Sequence, residues 1–107
     1  MQVVINFAYI RDIVRFYDEL KEKLDLPIYF GNNLDALHDV ISGDLKMPLE
    51  LVFINMTEDK ILTFKQLIKT LEDLTQEVPG FKFTRLVNHT LFNGEDEYYN
   101  RYKNFFD

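Results

Sequence analysis

Three short runs of β-branched, aliphatic and aromatic residues alternate along the chain with segments of helical periodicity, and this alternation limits the possible folds. The runs occupy residues 3–5, 49–54 and 81–87. Such residues favour pleated strands, and strands separated by helices pair in parallel because the helix returns the chain to the start of the sheet. The sequence therefore predicts an α/β fold with a small three-stranded parallel sheet and packed helices. Glu50 interrupts the second run, which predicts one position near a sheet edge or facing water.

The first and third helical segments carry boundary signals. Asp12 is a candidate N-terminal cap of the first helix, and Pro27 prevents this helix from continuing because proline lacks a backbone N–H. Thr63 and Gln66 have the spacing of a capping box at the start of the third helix. A Pro-Gly pair at residues 79–80 ends it. Both segments repeat apolar residues at intervals of three and four, which predicts helices that bury one face.

The middle helical segment is shorter and begins at Leu34. Asn32 or Asn33 can cap its start, because an asparagine side chain accepts a hydrogen bond from the first helical turn. Gly43 suits the left-handed position that follows a helix, where a Cβ would clash. We therefore expect a helix over residues 34–42.

The polar face of this middle helix carries Asp35, His38, Asp39 and Ser42. Asp35 and Asp39 are one turn apart and repel each other by roughly 0.2–0.5 kcal/mol. Asp39 and the following Asp44 also lie toward the carboxyl end, where the helix dipole is already negative. Uncompensated local penalties are typical of a binding surface, although an ordinary solvated acidic face is the alternative. Ser42 can donate one hydrogen bond or simply end the helix.

Composition narrows the class of partner. The chain has 18 acidic residues against 12 lysine and arginine residues among 107, for a formal charge of -6. This balance argues against direct binding of nucleic acid and favours a basic partner. The absence of cysteine excludes disulfides and thiolate chemistry and fits a reducing cytoplasm. Charged residues interrupt the first twenty positions and no stretch is as long as a membrane span, so we expect a cytoplasmic protein without a secretory signal or membrane contact.

The residues do not form the pattern of a catalytic or metal site. The Asp35 and Asp39 pair is predicted to be exposed, whereas acid-base catalysis needs an enclosed cleft that separates two pKa values. His38 with either carboxylate lacks a third metal ligand, and His89 is far away in sequence. No phosphate-binding glycine loop or nucleophile elbow is present. We therefore expect a protein without enzymatic activity, metal or other cofactor.

Aromatic residues are concentrated at the end of the chain. Five of the sixteen fall in the last ten positions at helical spacing, namely Tyr98, Tyr99, Tyr102, Phe105 and Phe106. We expect residues 91–107 to form an extension, a short amphipathic helix docked on the same domain. Self-association as a homodimer is the alternative, because tyrosine and phenylalanine suit interface cores. The Asn93-Gly94 pair favours a hairpin, which competes with the helix.

One order of residues in the middle of the chain is characteristic of a known family. It comprises Leu26-Pro27, an aromatic pair, Gly31, the run Asn33-Leu34-Asp35-Ala36-Leu37, then Asp39 and Gly43, with Pro48 before an aliphatic run. This stretch resembles the barstar family of intracellular ribonuclease inhibitors. The resemblance is strongest over residues 26–52 and predicts a barstar-like domain over residues 1–90.

The resemblance implies roles for individual residues. Asp39 is implied to be the central anion that enters the phosphate site of a nuclease, and Asp35 a second anion on the same helix face. Tyr29 is implied to pack against a base-binding or sugar-binding group of that active site. Gly31 and Asn33 are implied to shape the loop that carries Tyr29.

At other positions the sequence matches the family less closely. Further acids of the family lie late in the last helix, near Asp73 and Glu77, where an ordinary solvated helix face is the alternative. The family commonly has tryptophan at the positions of His38 and Asp44, so the chain departs from the family there and its interface is changed. His38 can titrate near neutral pH beside Asp39, or flanking carboxylates can keep it protonated.

Together these features predict an inhibitor or immunity protein. It would block a basic ribonuclease or ribonuclease toxin with the acidic helix and the adjoining loop. The alternative is a non-inhibitory binding or self-associating module that uses the aromatic extension at residues 91–107. Salt separates the two, because association through carboxylates slows as ionic strength rises and association through aromatic residues does not.

Overall fold

The computed structural model describes residues 1–27 and 29–87. Its elements in chain order are β1 (Gln2–Asn6), a 3-10 turn (Phe7–Tyr9), α1 (Ile13–Leu24), α2 (Leu34–Asp39), a π-helical turn (Val40–Asp44), β2 (Leu49–Met56), α3 (Glu58–Thr63), α4 (Lys65–Glu77) and β3 (Phe81–Val87). Within these residues, none of the helices has the length and apolar character needed to cross a membrane. The expectations for residues 91–107, including the turn at Asn93-Gly94, the docked helix and self-association, lie outside the described residues.

The three strands form one parallel sheet in the order β1, β2, β3, which confirms the predicted α/β architecture. Val3 of β1 lies opposite Leu51 of β2, and Leu51 lies opposite Phe83 of β3. β2 is therefore the central strand. It is also longer than expected, because it continues through Met56. Its interior residues are almost entirely buried, as expected for a strand paired on both sides.

Glu50 does not mark a sheet edge, contrary to one interpretation of its place in the second run. It is half-buried on the central strand. Its carboxylate accepts hydrogen bonds from Gln2 Nε2, directly opposite on β1, and from Thr84 Oγ1, two residues beyond its own partner on β3, each at 2.9 Å, so side chains join the three strands near Glu50. A charged residue is tolerated here because both neighbouring strands supply polar partners.

The helices pack on one face of the sheet, which we call the first face. Phe53 lies at its centre, with its ring centroid 4.5 Å from Phe7, 5.7 Å from Phe16 and 4.9 Å from Phe83. The buried residues of α1, α2 and α4 all belong to this same apolar cluster. α2 contributes Leu37, which is fully buried. The short acidic helix is thus fixed to the core by its apolar side.

The start of α1 agrees with the predicted cap. Asp12 Oδ1 accepts a hydrogen bond from the backbone N–H of Arg15 at 2.9 Å, which satisfies a donor that the helix itself cannot. The helix ends at Leu24, and Asp25 takes up a left-handed conformation with φ of 52°. The chain has therefore left the helix before it reaches Pro27.

The predicted third helix corresponds to α4, which begins at Lys65, but a short helix, α3, precedes it that the sequence analysis did not predict. The predicted capping role of Thr63 was wrong. α3 begins after Thr57, whose side chain accepts from the backbone N–H of Lys60 at 3.2 Å. Thr63 is the last residue of α3, and its hydroxyl donates to the carbonyl of Asp59 at 3.0 Å, so it cannot cap the next helix. Buried Phe64 occupies the junction before α4, where no side chain caps the helix.

Candidate functional site

The loop before α2 is anchored by one aromatic residue and presents another. Phe30 is buried, with its ring centroid 5.9 Å from that of Tyr17 on α1. The adjacent Tyr29 is 88% exposed. An exposed position of this kind is available for contact with a partner, whereas a partly buried loop aromatic would not be.

Asn33 joins this loop to α2 through both ends of its amide. Its Oδ1 accepts from the backbone N–H of Ala36 at 2.8 Å, which confirms the predicted cap, and its Nδ2 donates to the carbonyl of Gly31 at 2.9 Å. A Cβ at Gly31 would lie 3.1 Å from Asn33 Nδ2 and 3.3 Å from Ala36 Cβ. The close approach of loop and helix therefore favours glycine at residue 31. The preceding Asn32 adopts a left-handed conformation with φ of 49°.

Asn33→Ala is expected to lower the free energy of unfolding by about 1 kcal/mol, because α2 loses its side-chain cap. The loop also loses its hydrogen bond to Asn33 Nδ2. Chemical denaturation measures the change, and Asn33→Asp provides the matched control because it keeps the accepting oxygen and removes only the Nδ2 donor. Equal losses in the two variants would show that the cap itself contributes little.

The end of α2 differs from the prediction. The α-helix stops at Asp39 and widens into the π-helical turn, closed by a hydrogen bond of 2.9 Å from Leu45 N to Val40 O. Gly43 lies inside this turn and is not left-handed, so its predicted role as a C-terminal cap was wrong. The wider turn inserts extra backbone before extended Leu45 ends it, which removes the need for a left-handed residue. Ser42 Oγ donates to the carbonyl of His38 at 2.7 Å and so uses its hydroxyl within the turn.

The acidic residues of α2 face solvent. Asp35 and Asp39 are both exposed, and the side chain of Asp39 is 85% exposed. The ion pair found for Asp39 among the described residues is with His38, at 3.7 Å from Oδ1 to Nδ1. Asp44, in the π-helical turn, is exposed as well. The surface thus presents carboxylates that remain largely hydrated and available to a cationic partner.

His38 connects this surface to α4. Its Nε2 lies 2.8 Å from Oε2 of Glu77, a contact between residues 39 positions apart in the chain. The hydrogen bond to Glu77 is the main cause that raises the pKa of His38 above its ordinary value of 6.5, and Asp39 contributes in the same direction. The other candidate acid of α4, Asp73, lies 3.5 Å from Lys69 Nζ on its own helix. The fold therefore brings Glu77 to the acidic helix by a direct contact.

Glu77→Gln is expected to lower the pKa of His38 toward its ordinary value, because the charged acceptor is removed. The folded pKa of His38 exceeds its unfolded pKa, so the pair stabilises the fold fully below about pH 6.5 and loses this contribution as pH rises through the folded value. An NMR titration of the His38 ring protons measures the shift directly.

Asp73→Asn is the matched control for this titration, since it removes the same charge from the same helix without touching His38. We expect it to move the His38 pKa less than Glu77→Gln does. If both variants moved it equally, the general charge of α4 and not the contact with Glu77 would control the histidine.

Sequence patterns alone could not identify the His38 and Glu77 contact. No sequence motif links the two positions. The contact exists because α2 and α4 pack on the same face of the sheet. The nearest sequence signal was the placement of Glu77 by family resemblance.

Comparisons with known proteins identify a family for this chain. The family model described as "Barstar (barnase inhibitor)" matches residues 1–88. A protein of Bacillus subtilis (strain 168) named "Putative ribonuclease inhibitor YrdF" is 43% identical over 54 residues. This match covers 50% of the present chain and 59% of that relative's length.

Proposed function

The chain belongs to the barstar family, and we propose that it is an inhibitor or immunity protein that binds a basic ribonuclease or ribonuclease toxin and blocks its active site. The observation that carries this proposal is the short helix that buries Leu37 and leaves the carboxylates of Asp35 and Asp39 in solvent. The relative named as a ribonuclease inhibitor supports the same class of target.

The proposed mechanism is occupation of the nuclease's anion site by carboxylates. A ribonuclease has to gather arginine, lysine and histidine side chains to bind phosphate and to stabilise charge that develops during cleavage. Carboxylates on a rigid helix offer the same partners short, charge-assisted hydrogen bonds. Asp39 is the proposed central anion, and Asp35 is the proposed second anion one turn earlier. Because both are already exposed, neither has to break a strong internal contact in order to bind.

The loop is proposed to supply the remaining specificity. Tyr29 offers an exposed ring that can pack against a base-binding or sugar-binding surface. Gly31 and Asn33 hold this loop close to the start of α2 through the hydrogen bonds described above. Loop and helix then approach the partner as one preformed surface, which lowers the entropic cost of association.

Several residues are proposed to lie around this centre. His38 and Glu77 form a linked pair at the α4 side, and Asp44 adds negative charge after the helix. Ser42 supports the π-helical turn from within, so its proposed contribution to the partner surface is indirect. Asp73 is the most peripheral candidate, because it pairs with Lys69.

An inhibitor of this kind acts by binding alone, so the proposal includes no turnover and no cofactor. The formal charge of -6 favours rapid encounter with a basic nuclease through long-range attraction. We propose a cytoplasmic location, because an inhibitor that protects its own cell has to meet the nuclease where cellular RNA is present.

The proposal is tested by titration calorimetry against a panel of purified small basic ribonucleases and ribonuclease toxins, with residual RNA cleavage followed in the same mixtures. We expect at least one member to bind with one-to-one stoichiometry and to lose activity. Its association rate should fall as salt concentration rises, because carboxylates provide the attraction. Binding without loss of cleavage, or an association rate that salt does not change, would contradict the proposed mechanism.

A further inference from the structure

The sheet has a second face, opposite the helices, and its residues are arranged in two zones. At the amino end of the strands, Gln2, Glu50 and Lys82 lie in one polar row, and Glu50 accepts hydrogen bonds from Gln2 and from Thr84, which lies one row further along β3 opposite Val52. Toward the carboxyl end, this face carries four aliphatic side chains beside the polar Asn6. We call this zone the second-face patch, and it consists of Val4, Val52, Ile54 and Leu86.

The described helices contribute no buried apolar residue to the second-face patch, and α1 reaches its edge with the polar residues Glu19 and Lys23. Val52 and Ile54 are both 0% exposed, and the apolar residues packed against them in residues 1–27 and 29–87 are Val4 and Leu86 of the neighbouring strands. The buried residues of α1, α2 and α4 all belong to the first-face cluster. All-parallel sheets are covered on both faces almost without exception, because their strands are apolar on both sides. The second-face patch therefore requires a cover of its own.

We propose that residues 88–107 of the same chain cover the second-face patch. β3 ends at Val87, one residue after Leu86, which is itself part of the patch. The strands are parallel, so the chain leaves the sheet at the end where the second face is apolar and not at the end with the polar row. The segment therefore starts beside the surface that needs covering.

The length of the segment is sufficient for this role. Three neighbouring strands span roughly 10 Å from the first axis to the third, since strands lie about 4.8 Å apart. Twenty extended residues reach at most about 70 Å, and ten helical residues about 15 Å. Residues 88–107 can therefore turn back and cross the sheet with several residues left for a turn.

The composition of the segment matches an apolar surface. Its last ten residues hold five tyrosine or phenylalanine side chains and no other apolar type, in a chain whose net charge is negative. Each such ring buries roughly 150–250 Å² when it is packed, so two or three are enough to cover four aliphatic side chains. Tyrosine hydroxyls can remain hydrated at the rim while the rings lie on the sheet.

The β1 edge of the sheet is partly occupied by α1, whereas the segment is continuous with the β3 edge. Lys23 on α1 donates from Nζ to the carbonyl of Val4 at 2.8 Å, and so occupies an acceptor at the outer edge of β1. The segment enters from the opposite edge, where it is continuous with β3. A cover of this kind leaves α2 and its carboxylates free, because they lie with the helices on the first face.

The test uses spin labels in the full-length protein, because the chain has no cysteine and each introduced cysteine is the only attachment site. Lys82→Cys places a nitroxide on exposed β3 facing the second side of the sheet, and Gln76→Cys places one on exposed α4 as the matched control. We expect the label at residue 82 to broaden the amide NMR signals of residues 98–106 strongly, and the label at residue 76 to leave them sharp.

A mixed sample identifies the source of any broadening. Isotope-labelled protein without a nitroxide is combined with unlabelled protein that carries the nitroxide at residue 82. Broadening that occurs only when the nitroxide and the isotope label are in the same molecule confirms the proposal. Broadening that persists in the mixed sample would assign the contact to a second copy, and unchanged tail signals with both labels would show that these residues do not cover the patch; either result overturns the proposal.

Discussion

Asp39→Ala is expected to weaken binding to the cognate ribonuclease by roughly 10²- to 5 × 10³-fold. In the proposed complex this carboxylate is buried against cationic groups of the nuclease. Removing one partner from a buried ion pair costs about 3–5 kcal/mol, because the remaining charge stays desolvated without compensation. The loss should occur mainly as faster dissociation. RNA cleavage should then be restored at concentrations at which the unsubstituted inhibitor abolishes it.

The same substitution should leave the fold intact, which separates a binding effect from an unfolding effect. The side chain of Asp39 is 85% exposed, so the free energy of unfolding is expected to change by no more than about 0.5 kcal/mol. A small gain in stability is consistent with removing an acid near the carboxyl end of α2. Thermal or chemical denaturation of the variant provides this measurement.

Asp18→Ala is the matched control for charge. It removes one exposed carboxylate from α1 and changes the net charge by the same amount. We expect it to alter affinity only slightly, through long-range attraction that salt screens. If Asp18→Ala and Asp39→Ala weakened binding equally, the interaction would depend on overall charge and the proposed role of Asp39 as an anchor would be wrong.

Phe53→Ala is expected to produce the largest loss of stability in the chain, about 3–5 kcal/mol. Phe53 is fully buried on the central strand and its ring packs against those of Phe7, Phe16 and Phe83. The truncation removes apolar contacts and leaves a cavity between the sheet and the helices, which a strand paired on both sides cannot close. Because domains of this size are commonly stable by only about 5–15 kcal/mol, we expect the unfolded fraction at 37 °C to rise markedly.

Two control variants separate cavity formation from loss of an aromatic ring as such. Tyr9→Ala removes an aromatic ring that is 72% exposed and should change stability by about 0.5 kcal/mol or less. Phe53→Leu keeps most of the apolar volume and should cost clearly less than Phe53→Ala. Chemical denaturation of all three variants measures the order, and a Tyr9→Ala loss as large as that of Phe53→Ala would contradict this account of the core.

Features that depend on near neighbours were predictable from the sequence. The cap at Asp12 was predicted and is present, because a cap is a contact over about three residues. For α2 the sequence allowed Asn32 or Asn33, and Asn33 forms the cap. Helix α3 was missed, although Thr57 followed by two acidic residues carries the signal for a helix start. The spacing of Thr63 and Gln66 located the start of α4 to within about one residue, but the capping hydrogen bond that it predicted does not form.

Family resemblance determined more of the candidate site than local patterns did. It directed attention to Asp35 and Asp39, whose exposure the structure then described. Local patterns alone left a solvated acidic face as an equal interpretation. The structure further separated Tyr29, which is exposed, from Phe30, which is buried, although the two are adjacent in sequence.

The sequence by itself determined the alternation of strands and helices, the acidic character of α2 and, to within about one residue, the start of that helix. These depend on residue type and on contacts within one or two turns. Only the tertiary structure decided that β2 is central, that α2 ends in a π-helical turn, and that His38 meets Glu77 from 39 positions away. Each of these depends on how separate elements pack against one sheet, and packing is a property of surfaces that the chain brings together only when it folds.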